Sequence, residues 1–566
     1  MSRDQAIAPP AAQDWAHDDD TGRRTPAFAV LGRDWSERAF LAAILLVVTY
    51  MAAANHFIQD DGFITLRYVD HWLRGHGPVW YPGSTEFGYT NFLFMVLVAA
   101  LSATGRDPGV AANVVTYSGF FVSVAAAYLI AHRLSGGQIY AAGLAILVIF
   151  TNYSVSSYAS GLLETSLQLA LALLTYLWVL EHHRKPAAAR YVYLAATTAT
   201  LCLLTRLDSA VLLAPVGALL LYQVVSYRGV AKSSLLKHTS LAALIPLLAL
   251  CSFFAFCIAQ YGAILPNTFY AKADRELAFG LFYLEKFLSH ENYVYVWAPI
   301  IMVAVAWRKG AAVSSTAADR GFAAVLMGTA FLWVGYVVFV GGGFMGYRLM
   351  VPFIALFYIR LISDIATTAG MRAAALISVA ALIAHISEYT RDYEEELKTD
   401  VAIESPDILN YNVNRPHKNW QLVGRRLNAL FYTGDPDDVL IATTAAGAIP
   451  YYSRLPTLDM HGLNTLEIAR AGARATQRAG HTRKATIDQI RAAGVNLVLD
   501  HPTFICDDRS VSVAYNDPEQ GLLHDMAVVL IPMLSGDCRL IAFYLHPHPR
   551  VEALLADGRL ERFEGD

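Results

Sequence analysis

Charge is scarce in this chain. Asp, Glu, Lys and Arg together make up only 16% of the 566 residues, and the formal charge is −4. So near-neutral a balance supplies no basic field that would condense a polyanion, which excludes nucleic acid as a partner. Cysteine is scarcer still, at five residues, and none falls into the paired spacing of a zinc site. The first thirty-odd residues, with Asp18-Asp19-Asp20 and Arg23-Arg24, lack the basic-then-apolar layout of a cleavable signal peptide. No fixed repeat and no long low-complexity tract interrupts the body of the chain.

What is abundant is hydrocarbon. Apolar residues make up 55% of the chain and the mean hydropathy is +0.38, too high for a soluble protein of this length. Residues 1–37 read as a disordered cytoplasmic tail, followed by an uncleaved signal anchor at 39–55. Further apolar runs lie at 92–101, 110–130, 139–150, 166–180, 191–204, 210–225, 241–258, 294–307, 322–340, 349–362 and 373–386. Three basic loops, His183-Arg184-Lys185, Arg228 with Lys232 and Lys237, and Arg308-Lys309, belong on the cytoplasmic side. They satisfy that rule together only if one short run, near Phe92 or Ile139, does not cross. About eleven spans remain, and an odd number places the C-terminus outside. Asp60-Asp61, Glu164, Arg206 to Asp208, Pro266 to Lys272 and Met345 to Arg348 then share the outer face.

The expected fold is therefore a polytopic α-helical membrane domain over 38–388, followed by an extracytoplasmic α/β domain over 389–566. Val439-Leu440-Ile441-Ala442, Val495-Asn496-Leu497-Val498-Leu499 and Leu540-Ile541-Ala542-Phe543-Tyr544 read as its strands. Cys202, Cys251 and Cys257 sit in or beside apolar runs as buried thiols. Cys506 and Cys538 are the two in the outer domain, where a disulfide is permitted and its formation left open.

The chemistry gathers in the outer loops. The first, 56–89, carries Asp60, Asp61, Arg67, His71, Arg74, His76 and Glu86 among aromatic residues. Phe63, Leu66, Tyr68, Val69, Trp72 and Leu73 recur at helical spacing, as in a helix lying at the membrane surface. Surface anchoring needs no carboxylates, so the Asp pair points to function. A carboxylate at this boundary suits removal of a proton from an acceptor hydroxyl, with its neighbour in support. A leaving phosphate calls for cations, and Arg206, Lys272 and Arg348 offer them from three loops. Mg²⁺ or Mn²⁺ beside Asp60-Asp61 stays open, without a clear ligand set.

These residues also carry a resemblance. Asp60-Asp61-Gly62-Phe63-Ile64-Thr65-Leu66-Arg67-Tyr68, Gly75-His76-Gly77-Pro78-Val79-Trp80-Tyr81-Pro82-Gly83, Glu86 and Gly88-Tyr89-Thr90-Asn91 resemble the first outer loop of bacterial type C (GT-C) membrane glycosyltransferases akin to the mycobacterial terminal arabinofuranosyltransferase AftB. The likeness continues through Ser160-Gly161-Leu162-Leu163-Glu164-Thr165, Thr205-Arg206-Leu207-Asp208, Leu265-Pro266-Asn267-Thr268-Phe269-Tyr270-Ala271-Lys272 and Gly341-Gly342-Gly343-Phe344-Met345-Gly346-Tyr347-Arg348. Asp459-Met460-His461-Gly462-Leu463 and Gly480-His481-Thr482-Arg483 extend it into the outer domain.

The resemblance implies a multi-pass protein of the bacterial cytoplasmic membrane. It would transfer a sugar from a polyprenyl-phosphate donor to a glycan or glycoprotein acceptor on the outer face. It makes Asp60 the catalytic base with Asp61 its neighbour, places Arg67, Glu86, Tyr89, Asn91, Glu164, Asn267, His461 and His481 with the substrates, and suggests arabinofuranose from decaprenyl-phosphoryl-arabinose. Two positions depart from the pattern: Gly343 stands where the family has an acid, and one extra Leu lies between Gly161 and Glu164. Both bear on the donor more than on the reaction. Transfer of another lipid-linked sugar, to a polysaccharide or a protein such as pilin, is the nearest alternative. A polytopic transporter is the alternative from another class, disfavoured because its ionisable groups belong at mid-membrane.

Overall fold

The computed structural model describes residues 34–271, 277–308, 317–389, 403–416, 418–435, 437–476, 480–506, 512–534 and 537–563. The expected tail lies outside the described residues up to position 33, and so does Lys272. Helices follow the apolar runs, and some are started by a side-chain cap. Trp35–Ala54 begins where the Asp34 carboxylate accepts the Glu37 N–H. Pro108–Leu134 begins where Asp107 accepts the N–H groups of Gly109 and Val110, and Pro108 has no N–H to leave unmet.

Among the described residues six helices are long and apolar enough to cross a bilayer: Trp35–Ala54, Pro108–Leu134, Ser209–Ser226, Lys232–Tyr261, Gly321–Phe339 and Arg348–Thr368. That is fewer than the eleven expected, for reasons of length and composition. A span needs about 20 apolar residues, whereas Phe92–Ser102 has 11, Ile139–Thr151 has 13 and Arg190–Thr205 has 16. Thr165–Arg184 is 20 residues long, but Gln168, Glu181, His182, His183 and Arg184 make it too polar to be counted. It forms the centre of one apolar cluster with Pro108–Leu134, Ile139–Thr151 and Val351–Thr368. Gly119 permits the closest approach, since a Cβ there would lie 2.7 Å from the Leu167 backbone nitrogen.

The first outer loop does form a helix, Asp60–Leu73. Its stripe does not float on lipid as expected: Phe63, Leu66, Tyr68 and Val69 are buried with Trp80, Phe94 and Met95, and only Trp72 and Leu73 stay exposed.

Beyond residue 403 the chain builds an α/β domain with strands β1 (Ile441–Thr443), β2 (Thr457–Asp459), β3 (Ala473–Arg474), β4 (Arg483–Lys484), β5 (Leu497–Asp500), β6 (Phe504–Cys506), β7 (Tyr515–Asp517), β8 (Gly521–Leu523), β9 (Val528–Pro532), β10 (Cys538–Tyr544) and β11 (Glu561–Arg562). Seven of them form one sheet, ordered β11-β9-β10-β5-β1-β2, with β6 also on β10. β5, β1 and β2 run parallel; β10 turns the sheet antiparallel. Side chains alternate between two cores. Ile441, Leu497, Val529 and Leu540 face helices Trp420–Phe431 and Pro549–Ala556. Ala442, Val498, Leu530 and Ile541 face Leu466–Ala471 and Ile487–Ala492. The sheet is thus covered on both faces. Cys506 and Cys538 are register partners on β6 and β10 and are disulfide-bonded across 32 residues.

Candidate active site

One cavity of about 770 Å³ lies where the helix Asp60–Leu73, the Glu164 turn, the Gly341–Met345 stretch and the outer domain meet. Asp61 and Thr65, one turn apart on that helix, both line it. Opposite charge comes from Arg206 and Arg348. Leu203, Leu204, Phe253, Phe339 and Val340 supply an apolar wall, and Leu463, Gly480 and Thr482 reach in from the outer domain.

Glu164 stands at the N-terminus of Thr165–Arg184, a favourable place for an anion. The preceding turn is tight: Gly161 and Leu162 have φ of +83° and +58°, and the Gly161 N–H donates to the Phe57 carbonyl at 3.0 Å. Glu164 accepts from Arg206 Nη1 at 2.7 Å and from Asn91 Nδ2 at 3.0 Å, and Asn91 in turn bonds Thr65. Arg206 also grips Asp208 through Nε at 3.0 Å and Nη2 at 2.5 Å. Burial pushes the Glu164 carboxyl up, but the Arg206 and Arg348 guanidiniums overcome it and hold the group down to about 2. Arg206 therefore stands between two carboxylates, its charge already met. Arg348 differs: its Nη1 lies 3.3 Å from Met345 Sδ, and among the described residues no carboxylate is within ion-pair distance. The buried Tyr158 hydroxyl, 2.6 Å from the Met345 carbonyl, is pushed up by burial, pulled down by Arg348 and pushed up by Asp61, so it lies within the field of both charges.

The residues expected at the site divide. Asp61, Tyr89, Asn91, Glu164, Arg206 and Arg348 line the cavity. Asp60 does not: its carboxylate is buried against the outer domain, accepting from the Gly447 N–H at 2.9 Å and the Ala448 N–H at 2.7 Å. Burial pushes it up to about 7, against the pull of the two N–H groups, with the Asp61 charge adding to the rise. Arg67 is buried as well and donates to the carbonyls of Trp80, Pro450 and Leu455. Glu86 accepts from Asn267 at 2.6 Å and from the Leu466 N–H at 2.9 Å. Arg67, Glu86 and Asn267, expected on the substrate, instead join the first outer loop to what lies above it. His461 and His481 meet edge to face at 4.7 Å, and His481 meets Phe344 at 4.5 Å behind the cavity wall. Lys272 lies outside the described residues.

Asp208, Thr65 and Tyr336 are cavity residues that the motif reading passed over. Asp208 and Thr65 had a signal, the first two positions from Arg206 in Thr205-Arg206-Leu207-Asp208 and the second one helical turn from Asp61; Tyr336, inside the apolar helix Ala317–Phe339, had none. Among the described residues no three His, Cys, Asp or Glu side chains converge as metal ligands, and Glu164 and Asp208 are both engaged by Arg206. Among the described residues the groups present do not make a Mg²⁺ or Mn²⁺ site.

Residues 412–544 match a family described as a domain of unknown function (DUF8728). No curated protein matches this sequence. Among solved structures the chain is similar to ArnT from Cupriavidus metallidurans in the apo state, at 10% identity and a TM-score of 0.51, over 90% of this chain and 98% of that one. ArnT bound to undecaprenyl phosphate gives 13% identity and 0.49 over 89% and 97%. Arabinosyltransferase EmbB from Mycobacterium smegmatis gives 14% and 0.37 over 86% and 45%. The first of these shows a shared fold, a largely helical bundle followed by a C-terminal domain. It does not single out the terminal arabinofuranosyltransferases, since fold does not specify substrate.

Proposed function

We propose that this protein transfers a sugar from a polyprenyl-phosphate donor to an acceptor hydroxyl at the outer face of the cytoplasmic membrane, with Asp61 rather than Asp60 as the base. The observation that carries the reading is the two-sided cavity, apolar on the wall formed by Leu203, Leu204, Phe253, Phe339 and Val340 and charged at Asp61, Glu164, Arg206 and Arg348. An isoprenoid phosphate has the same two halves. Its chain stays in hydrocarbon while its head group meets the polar side. The Asp61 carboxylate takes the acceptor proton, the hydroxyl oxygen bonds to the anomeric carbon, and the bond from that carbon to the phosphate oxygen breaks. The charge left on the phosphate falls to Arg348, the described cavity cation without a carboxylate of its own. Glu164 and Asp208, held by Arg206, offer remaining lone pairs to sugar hydroxyls.

Arabinofuranose from decaprenyl-phosphoryl-arabinose, added to a cell-envelope glycan, is the donor and acceptor that the sequence resemblance favours. Gly343 argues for a second reading, another lipid-linked sugar, because it lines the cavity where the family pattern has an acid. Transfer of radiolabelled sugar from a synthetic polyprenyl-phosphate donor tests the base. Asp61→Asn is expected to lower the rate by about 10²–10⁴-fold with the fold intact; full activity in that variant would falsify the assignment.

A further inference from the structure

We infer that Asp60 is a positioning residue: it docks the outer domain onto the helix Asp60–Leu73 and so aims Asp61 into the cavity. The inference rests on the role of Asp61 proposed above. It begins with sheet topology. In the parallel part of the sheet β1 lies between β5 and β2. The chain leaves β1 through Ala448–Ser453, packed on one face, and reaches β5 through Leu466–Ala471 and Ile487–Ala492, packed on the other. Such a reversal opens a crevice beyond the carboxyl ends of β1 and β5, where doubly wound sheets present their ligands. The crevice edge is built here with care: the Asp500 carbonyl accepts from the Thr444 N–H at 2.9 Å and from the hydroxyls of Thr443 and Thr444 at 3.0 and 3.1 Å, with Asp500 at φ +49°. What enters from outside at the following loop is the Asp60 carboxylate, on the N–H groups of Gly447 and Ala448.

Fit at this contact leaves no room for variation. A Cβ on Gly447 would lie 1.9 Å from the Asp60 carbonyl oxygen. The next face of the helix is pinned as firmly, since a Cβ on Gly62 would lie 2.5 Å from Leu162 Cβ, in the turn that leads to Glu164. Successive residues of a helix point about 100° apart. Asp60 therefore meets the outer domain, Gly62 meets the Glu164 turn, and Asp61 between them lines the cavity.

Asp60→Ala and Gly447→Ala test this as a pair, one removing the carboxylate and the other its seat. Both are expected to lower kcat by about 10–100-fold, the scale of an ångström of misplacement, with donor KM little changed. Both should raise amide hydrogen exchange across residues 445–450, and the double variant should lose no more than either single one. Full activity in Gly447→Ala beside an inactive Asp60→Ala would overturn the inference and return Asp60 to the chemistry; so would unchanged exchange in both. If Asp60→Ala does not fold, Asp60→Asn with Gly447→Ala carries the same comparison. An active Asp61→Asn enzyme would remove the base assignment, while the exchange measurement would still report the docking.

Discussion

Two adjacent carboxylates, Asp60 and Asp61, end up in different environments, one fully enclosed and one at a cavity wall. Their order in the motif does not reveal which is which, because a 100° turn separates their directions and only the neighbours decide what lies along each. The enclosed one carries a pH signature. The Asp60 carboxyl is raised by burial, and further by Asp61 and Asp459, to about 7 from an ordinary 3.8. A raised carboxyl means the folded state holds the proton more tightly than the unfolded chain. Its stabilising contribution is complete below pH 3.8 and is lost as pH rises through about 7. Thermal melting of the purified protein between pH 5 and 8.5 should therefore show a decline that Asp60→Asn flattens. An identical decline in the variant would assign the effect to other groups.

At the level of the element, the helix Asp60–Leu73 was legible from its apolar spacing, and β1, β5 and β10 from short apolar runs that alternate between two faces. β3, β4, β7 and β8, of two or three residues each, left no such signal. The span count was not legible because an apolar run does not state where its helix ends, and several end short of the about 20 residues that a bilayer needs. Cys506 and Cys538 show the same limit: their pairing depends on β6 and β10 being neighbours, which sequence spacing does not state. Closing a loop of this length restricts the unfolded chain by about 3–4 kcal/mol. Reduction should accordingly lower the melting temperature, with loss of β6 protection in hydrogen exchange as the local readout; an unchanged melt would show that the bridge contributes nothing to stability.

The whole molecule is held together across the first outer loop. Arg67 donates to the carbonyls of Pro450 and Leu455, Trp80 Nε1 donates to Thr457 at 2.9 Å, and the Tyr68 hydroxyl reaches Asn464 at 3.3 Å. Replacing Arg67 by Met keeps the bulk and removes the donor that crosses the junction, leaving the Pro450 carbonyl to the Arg454 N–H and the Leu455 carbonyl to the Thr457 hydroxyl, at about 1–3 kcal/mol for the lost charged hydrogen bonds. The expected result is a lower melting temperature and faster proteolytic release of the outer domain; resistance equal to the unaltered protein would show that Arg67 does not hold the junction. Sequence by itself determined that the chain is a membrane protein with a C-terminal α/β domain, and which loops carry the polar chemistry, because hydropathy and charge are properties of local stretches. Only the tertiary structure decided which of those polar groups meet in the cavity. Arg67, Glu86, Asn267 and Asp60 belong to the same set of motifs as Asn91, Glu164 and Arg348, yet a buried polar group must find its partner wherever the fold supplies one. Here the outer domain supplied partners to Arg67, Glu86 and Asp60, leaving Asp61 facing the cavity.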